Sequence, residues 1–445
     1  MNKLKNITVL FIQLGCSKNK VDGERMMDAL EKEGVLFTDT EDKADVIIVN
    51  TCGFIEDAKK EAINEILRAV STGKKVIAAG CLAQRYKEEI KRDIPELSSV
   101  VGVFDCDKIV EAVKDAMTSE YREYTNGRHF PACANTGRVL TTPFYYSFLK
   151  IADGCSNGCS YCAIPKIRGK YVSEPMESLV KEAENLAANG ITELIVIAQD
   201  TSRYGVDLYK ENKLSDLLSE LEKIEGIKWI RLHYLYPENI SGELIEQIKK
   251  SDKILPYFDI PIQHINDRIL KLMNRKITKR EITELLEKIK SEIPEAVIRT
   301  SLISGFPSET EKEHEELKEF VKKGYFDRLG VFPYSTEEGT RAAKITGKLP
   351  KRIKEKRAAE IMEIQKNVSL KKNKKRIGKT YTVLVEEIDG ENGIYGGRTY
   401  MDSPDIDGEV YFKSDVETDI GEYINVRITG CDEYDLTGEA VYNEN

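Results

Sequence analysis

Three cysteines stand close together in the middle of the chain, at Cys155, Cys159 and Cys162. The CxxxCxxC spacing lets three thiolates on one loop converge on a small centre, and iron–sulfur clusters are held by such thiolates. Three ligands rather than four predict a four-iron cluster with one iron open to a small molecule. Buried apolar cysteines, a disulfide and a structural zinc site are the alternatives. Zinc is disfavoured because the loop has neither a second cysteine pair nor a nearby histidine.

A second cysteine set lies at the start of the chain. Cys16, Cys52 and Cys81 each follow directly on an apolar strand pattern, in ITVLFIQLG, ADVIIVNTC and KKVIAAGC. Open parallel sheets bind ligands at the carboxyl ends of their strands. We therefore expect these three cysteines, far apart in sequence, to meet at one edge of a sheet.

Strand and helix patterns divide the chain into three regions. Residues 1–135 alternate strand and helix, which predicts a parallel-sheet α/β domain with helices on both faces, although 118–143 reads as a polar linker. Residues 144–372 repeat a strand–helix unit six times, which predicts a (βα)6 partial TIM barrel with its chemistry at the carboxyl ends of the strands. Residues 377–445 carry five short strand patterns, which predict a small antiparallel β-barrel. The chain is therefore expected to be of the α/β class.

The composition is that of a globular protein outside the membrane. The 445 residues are 41% hydrophobic and 32% charged, enough for two or three domains. No apolar run approaches the ~18 residues of a membrane span, and the amino terminus lacks a signal-peptide pattern. Nine cysteines, an odd number, favour the reducing cytoplasm and metal ligands over disulfides. We interpret the remaining three, Cys106, Cys133 and Cys431, as plain apolar residues or free thiols.

Charge is distributed unevenly along the chain. The net charge is −9 overall, but the tail from Ile377 has four Lys/Arg against 17 Asp/Glu, so the rest of the chain is net positive. An acidic barrel would repel nucleic-acid phosphates, and it fits a basic protein partner or a solvated surface without a partner. The segment 351–376 is basic and helical in pattern. It is either a solvated connector or a contact for RNA phosphates.

These motifs together resemble the methylthiotransferase branch of the radical S-adenosylmethionine (radical SAM) enzymes. CxxxCxxC with an aromatic residue before its last cysteine is the signature of that superfamily, and the early cysteines resemble the cluster-binding domain of the branch. The acidic tail resembles its TRAM domain, so the resemblance covers essentially the whole chain. Within the branch, the chain is most similar to members that modify a ribosomal protein, in the stretches LGCSKNKVDGE, NTCGFI, AQDTSRYG, FDIPIQH, RTSLISGFPSET, FDRLGVFPYS and GRTYMDSPDIDG.

The resemblance implies a function. Such enzymes add a methylthio group to the β-carbon of an aspartate in the small-subunit ribosomal protein beside the decoding centre. They use S-adenosylmethionine and two 4Fe-4S clusters, which here would be held by the two cysteine sets, and a reductant such as flavodoxin or ferredoxin. A transfer-RNA adenosine methylthiotransferase is the first alternative, and a non-catalytic iron–sulfur carrier is the second. An RNA-modifying enzyme would be expected to carry a basic barrel.

The resemblance also implies contacts to S-adenosylmethionine, and it implies no catalytic side chains beyond the cluster ligands. An aromatic loop residue, a polar triplet after the second strand of the central region, and an arginine and a glycine of its fifth strand are the expected contacts: Tyr161, Gln199, Asp200, Thr201, Arg299 and Gly305. Core packing, turn formation and ordinary surface charge are the alternative explanations. His264 ends the fourth strand, where a hydrogen-bonding role is more common than catalysis.

One position departs from the pattern of the ribosomal-protein branch. Members usually continue RGxxxSR after the cysteine loop, whereas here Arg168-Gly169 leads to Ser173-Glu174. Glutamate replaces the usual arginine, so a positively charged role at position 174 is lost. The cluster ligands are unaffected.

Overall fold

The computed structural model describes residues 4–118, 121–127, 137–390 and 392–442. Cys133 lies outside the described residues. The chain forms two compact units. The first comprises the described residues of Met1–Leu186, Val196–Lys213 and Ser335–Ala343, and the second those of Ala187–Ile195, Leu214–Tyr334 and Lys344–Asn445.

A six-stranded parallel sheet forms the amino-terminal part of the first unit. Its order is β2-β1-β3-β4-β5-β6. The strands are β1 Thr8–Gln13, β2 Leu36–Thr38, β3 Val46–Thr51, β4 Lys75–Gly80, β5 Ser99–Val101 and β6 Arg122–Tyr124. The three strands that precede cysteines were predicted, whereas the three-residue strands β2, β5 and β6 were not. Strand β6 also falls in the segment that was predicted to be a linker.

Helices cover both faces of this sheet, because alternate strand residues point to opposite faces and both faces are apolar. Val46 and Ile48 of β3 pack in one cluster with α1 and α5, while Ile47 and Val49 pack in the other with α2, α3 and α4. The helices are α1 Ser17–Lys32, α2 Glu56–Ser71, α3 Cys81–Arg85, α4 Lys87–Asp93 and α5 Ile109–Thr118.

The second sheet also has six strands, in the order β14-β13-β12-β11-β10-β7, and it remains open. This matches the predicted partial barrel, because the six strands are those predicted and their spatial order follows the chain. They are β7 Tyr146–Lys150, β10 Glu193–Ile197, β11 Trp229–Leu232, β12 Ile254–Asp259, β13 Val297–Ser304 and β14 Arg328–Pro333; the two-residue strands β8 Ala152–Asp153 and β9 Val172–Ser173 pair separately.

Helices follow these strands, and four of those described begin at a residue whose side chain caps the helix. Thr278 and Thr310 each start a helix with a reciprocal threonine–glutamate capping box, which satisfies amide groups that have no partner inside the helix. The helices are α6 Ile164–Ile167, α7 Met176–Ala188, α8 Leu214–Glu222, α9 Gly242–Lys250, α10 Asp267–Leu272, α11 Lys279–Glu292, α12 Glu311–Lys322 and α13 Lys351–Lys374.

The tail closes into a five-stranded barrel of order β15-β16-β17-β19-β18. Pairing is antiparallel throughout except between β17 and β19, which are parallel. The predicted small barrel is confirmed, with this one parallel pair as a difference. The strands are β15 Thr380–Asp389, β16 Ile394–Arg398, β17 Val410–Lys413, β18 Tyr423–Cys431 and β19 Leu436–Ala440.

Buried ion pairs join this barrel to β10 and β11 inside the second unit. Glu193 accepts from Arg231 at 2.7 Å and from Arg398 at 2.8 Å, and all three side chains are at most 2% exposed. Burial acts to raise the pKa of Glu193, but the two guanidinium groups outweigh it and lower the pKa to about 2. The barrel is therefore held through charges that exist only above acidic pH.

None of the helices within the described ranges is both long and apolar enough to cross a membrane.

Candidate functional site

The early cysteines lie at the carboxyl edge of the first sheet, which we call the rim. Cys16 follows β1, Cys52 follows β3, and Cys81 is the first residue of α3, directly after β4. In a sheet of order 2-1-3-4-5, ligands bind outside the strand ends where β1 and β3 diverge. Cys16 and Cys52 flank that point.

Two glycines bring the rim segments together. A side chain on Gly15, whose φ of +87° already disfavours other residues, would place a Cβ 3.0 Å from the Cβ of Cys52. A Cβ on Gly53 would lie 2.8 Å from the amide nitrogen of Leu82 and 2.9 Å from the carbonyl carbon of Cys81. The three cysteine-bearing segments therefore pack against one another without intervening side chains.

Buried amides fix the loops that carry these cysteines. The Asn19 amide donates to the Leu14 carbonyl at 2.8 Å and to the Thr51 carbonyl at 3.3 Å. The Asn50 amide donates to the Asn19 carbonyl at 2.9 Å, and the Thr51 hydroxyl donates to the Ala79 carbonyl at 2.5 Å. These bonds cross-link the ends of β1, β3 and β4, because a buried amide must find partners to offset its desolvation.

The pKa values of the rim thiols shift in different directions. Burial raises the pKa of the Cys81 thiol to about 12 and also raises the pKa of Cys52. The Cys16 residue is exposed at the surface. Its sulfur is nevertheless partly desolvated by surrounding protein atoms, which acts to raise its pKa. The positive charges of Lys18 and Arg168 and nearby backbone amides outweigh that effect, so the pKa of Cys16 is lowered.

The CxxxCxxC loop is closed at its base by the short antiparallel pair of β8 and β9. The Cys155 amide donates to the Gly169 carbonyl at 3.1 Å, and the Cys162 amide donates to the Cys159 carbonyl at 3.2 Å. Gly158 turns the loop with a φ of +69°. Burial raises the pKa of Cys155 to about 11 and raises that of Cys162 further. Cys159 also acts electrostatically to raise the pKa of both of these thiols, and cluster binding would displace their protons.

The two cysteine sets are neighbours in the first unit. Cys81 of the rim packs in a buried cluster with Ala163 and Ile167. Ala163 is the residue that follows Cys162, and Ile167 ends α6, the helix that leaves the loop. One rim ligand therefore lies directly against the segment that continues the loop.

A buried charge network occupies the same region. Arg168 pairs through one guanidinium nitrogen with Asp22 and with Asp153, at 2.8 Å each. Lys150 also pairs with Asp22, and with Asp153 at 3.0 Å. Two carboxylates and two cations therefore balance, which is the condition under which charges tolerate burial.

The polar triplet after β10 is connected to the loop. Asp200 accepts from Asn157, which lies between the first two loop cysteines, at 2.7 Å. Gln199 donates to Asp153 at 2.8 Å. The carbonyl oxygen of the Gln199 amide and the Thr201 hydroxyl are buried without a hydrogen-bond partner among the described residues. Unsatisfied buried polar atoms are costly, so these two are candidate ligand contacts.

Residues 335–343, which we call the strap, bond to the segments that carry both cysteine sets. The sequence did not predict these contacts. Glu337 pairs with Arg85 at 2.7 Å and with Lys59 at 2.9 Å. Arg85 lies at the end of α3 and also donates to the Gly53 carbonyl at 2.9 Å. At the other end of the strap, the Ala342 amide donates to the Ser160 carbonyl at 2.8 Å and Arg341 donates to the Gly158 carbonyl. Only the charged residues after β14 could have signalled it.

The remaining predicted contacts to S-adenosylmethionine are Tyr161, Arg299 and Gly305. Tyr161 is half-buried. In the second unit, Arg299 pairs with Asp259 at 3.0 Å and with Asp407 at 3.5 Å. Gly305 has a φ of +69°, and a Cβ there would meet Lys354. Their roles toward S-adenosylmethionine stay predictions.

His264 and Glu174 are both buried, and each interacts with a neighbouring protein group. His264 is buried and accepts from the Asn266 amide at 3.0 Å, and burial lowers its pKa to about 3, so it is neutral at physiological pH. Glu174 is buried, and its negative charge acts on Arg25 in the first unit. The replacement of the usual arginine therefore puts a carboxylate within electrostatic reach of a buried cation.

The donor atoms fit iron–sulfur clusters. Both sets consist only of cysteines, whose thiolates are the ligands that favour such clusters. In the part of the chain that the structure describes, no three His, Cys, Asp or Glu side chains are placed to share a single metal ion.

Family models match three segments. They are an uncharacterized protein family, UPF0004, over residues 8–102, the radical SAM superfamily over residues 149–321, and the TRAM domain over residues 377–441.

Curated relatives match along the whole chain. Ribosomal protein uS12 methylthiotransferase RimO of Clostridium botulinum (strain Hall) is 48% identical over 446 residues, covering 99% of each chain. RimO of Thermoanaerobacter sp. (strain X514) is 47% identical, covering 98% of this chain and 100% of its own.

Solved structures share the fold at low identity. The radical S-adenosylmethionine methyltransferase TsrM of Kitasatospora setae aligns with a TM-score of 0.57 and 14% identity, covering 76% of this chain and 74% of its own. The cobalamin-dependent radical enzyme OxsB aligns with a TM-score of 0.52 and 11% identity, covering 81% and 56%. At these identities the likeness concerns the fold alone.

Proposed function

The chain belongs to the RimO family of ribosomal protein uS12 methylthiotransferases, and we propose that it adds a methylthio group to the β-carbon of an aspartate of uS12. It is a radical SAM transferase of mixed α/β fold with a carboxyl-terminal TRAM barrel. Opening an unactivated C–H bond is beyond ordinary acid–base side chains, so a cofactor must carry that step. When bound, the loop cluster supplies reductive cleavage of S-adenosylmethionine, and the rim cluster supplies the sulfur.

The observation that carries the proposal is the contact between the two cysteine sets. Sulfur can reach a carbon radical only if both centres serve one reaction site. Cys81 packs against Ala163, the residue after Cys162, and the strap ties the two loops together. This arrangement supports a second 4Fe-4S cluster on Cys16, Cys52 and Cys81 beside the first on Cys155, Cys159 and Cys162.

Residues at the end of β10 are proposed to bind S-adenosylmethionine. Gln199 and Thr201 keep buried polar atoms without protein partners, which suits them to a polar ligand. Asp200 is held by Asn157 and acts by fixing the loop. Tyr161 is proposed to pack on the adenine ring. Arg299 and Gly305 complete the proposed set, one as a charge partner and one as a close backbone contact, as the family resemblance implies.

The barrel is proposed to meet the substrate protein. Arg398 is buried and paired with Glu193 and Glu386, so the basic residues that the barrel exposes are Lys379, Lys413 and Arg427. Exposed carboxylates include Glu387, Asp389, Asp405, Asp415, Glu417, Asp419, Glu422, Asp432 and Glu439. Such a surface attracts a basic ribosomal protein and repels RNA phosphates.

The proposal also includes an RNA contact, an electron donor and a location in the cell. The exposed lysines at the end of α13 would contact ribosomal RNA through phosphate charge. A small reductant such as flavodoxin or ferredoxin would deliver electrons. Modification of a ribosomal protein places the enzyme in the cytoplasm.

Mass spectrometry tests the proposal. The reconstituted chain is incubated with dithionite, S-adenosylmethionine and either purified uS12 or bulk transfer RNA. We expect a methylthio gain on one aspartate of uS12. A gain on RNA would instead favour the transfer-RNA enzyme, and failure to cleave S-adenosylmethionine would favour a carrier.

A further inference from the structure

Arg168 lies between the two cysteine sets, and the proposed function gives it no role. It follows the loop cysteines by six positions and immediately follows α6, whose last residue Ile167 packs with Cys81. Its side chain is 2% exposed. A buried guanidinium requires partners on every side, so its position is strongly determined.

The partners of Arg168 come from both sides. Asp22 and the Asn19 amide oxygen, at 2.8 and 3.3 Å, belong to α1, which starts directly after Cys16. Asp153, at 2.8 Å, belongs to β8, which leads into the CxxxCxxC loop. The positive charge of the guanidinium also acts on the Cys81 thiol. One side chain therefore bonds to elements that lead to both the rim and the loop, and its charge acts on a rim cysteine.

We infer that Arg168 is a positioning residue that aligns the two cysteine sets and raises the reduction potential of the cluster bound at the rim. Hydrogen bonds and positive charge near cluster sulfurs stabilise the reduced form, which carries one more negative charge. Without Arg168, Asp22 and Asp153 would lose one of the cations that pair with both of them, so the charge beside the rim would become more negative. The inference rests on the proposed rim cluster.

The test isolates that cluster. In the full chain with Cys155, Cys159 and Cys162 replaced by alanine, only the rim can hold a cluster, and its potential is measured by redox titration with electron paramagnetic resonance. Arg168→Met is expected to lower the equilibrium constant for one-electron reduction about tenfold, which is about 59 mV. Arg168→Lys keeps the charge and is expected to stay within threefold of the parent.

Arg138→Met is the matched control. Arg138 is also a buried arginine of the first unit, 3% exposed and paired with Glu24 and Glu182 at 2.5 and 2.7 Å, and among the described residues it has no cysteine partner. Its replacement is expected to leave the rim potential unchanged. A general loss of packing would affect both variants alike.

The outcomes separate two failures. If the parent holds no rim cluster, the two-cluster proposal fails and Arg168 loses this role with it. If the parent holds one but Arg168→Met leaves its potential unchanged, or Arg138→Met shifts it equally, the inference about Arg168 is overturned. If Arg168→Met retains no iron, the result for Arg168→Lys decides between the two outcomes. A rim potential in Arg168→Lys equal to that of the parent supports the inference, and a tenfold change in its equilibrium constant for reduction, despite the retained charge, refutes it.

Discussion

Glu337 holds two cations from different segments of the first unit, so replacing its carboxylate by an amide should loosen the strap. The side chain is 3% exposed, and its partners Arg85 and Lys59 are 8% and 17% exposed. Arg85 also binds the carbonyl of Gly53, beside Cys52. Glu337→Gln therefore weakens the hold of the strap on the rim as well as the fold of the unit.

The size of the effect follows from burial. Removing one partner of a buried ion pair costs about 3–5 kcal/mol, because the other charge is left uncompensated. Lys59 is partly exposed and can turn to water, and glutamine can still accept one hydrogen bond. We therefore expect the lower end, about 3 kcal/mol. For a unit of roughly 200 residues this lowers the melting temperature by about 6–12 °C.

Calorimetry of the full chain measures this change, and iron per chain after gel filtration measures its effect on the clusters. Glu338→Gln is the matched control, because Glu338 is the neighbouring glutamate and is exposed. Both variants remove one negative charge. We expect a lower melting temperature and lost iron only for Glu337→Gln. A shift below about 1 °C, or equal shifts in both variants, would refute the role assigned to the strap.

Three further predictions concern acid stability, cluster loading and packing at the rim. The lowered pKa of Glu193, about 2, means that its charge stabilises the fold above the unfolded pKa of about 4.3. That stabilisation is lost progressively as the pH falls from about 4.3 toward 2, so the melting temperatures of Glu193→Gln and the parent should differ most at pH 7 and draw together over this range; a constant difference would contradict this. The Cys81 pKa of about 12 means that binding a cluster at the rim must release a proton. The iron bound per chain at limiting iron and sulfide should therefore rise between pH 6 and 8. Iron binding that does not depend on pH would count against Cys81 as a ligand. Gly53→Ala places a methyl group 2.8 Å from the Leu82 amide nitrogen and should lower the iron bound per chain. Gly390→Ala is the control, because no atom lies within 4 Å of the added methyl group, and it should leave the iron content unchanged. Equal iron in both variants would show that the rim tolerates a side chain at Gly53.

The sequence predicted the parts of the site that depend on strand order. An apolar strand ending in a cysteine is readable residue by residue, and parallel strands end at one edge of their sheet. The placement of Cys16, Cys52 and Cys81 at that edge follows from this rule. The six strands of the second sheet and the barrel of the tail were readable for the same reason, because their apolar periodicity is regular.

Contacts between distant side chains were not predictable in this way. Arg168, Asp22 and Asp153 carry no pattern that distinguishes a buried network from surface charge. The same holds for Glu337, whose partners lie more than 250 positions earlier. The short strand β6 was missed because three residues cannot display a periodicity.

The most direct test of the two-centre account separates the two reactions. Cys16, Cys52 and Cys81 are replaced together by alanine, and the variant is incubated with reductant, S-adenosylmethionine and uS12. Chromatography then measures 5′-deoxyadenosine, and mass spectrometry measures methylthio transfer. We predict that the variant still forms 5′-deoxyadenosine and transfers no methylthio group, because the CxxxCxxC loop is intact and the rim is not. Methylthio-modified uS12 from this variant would contradict the account.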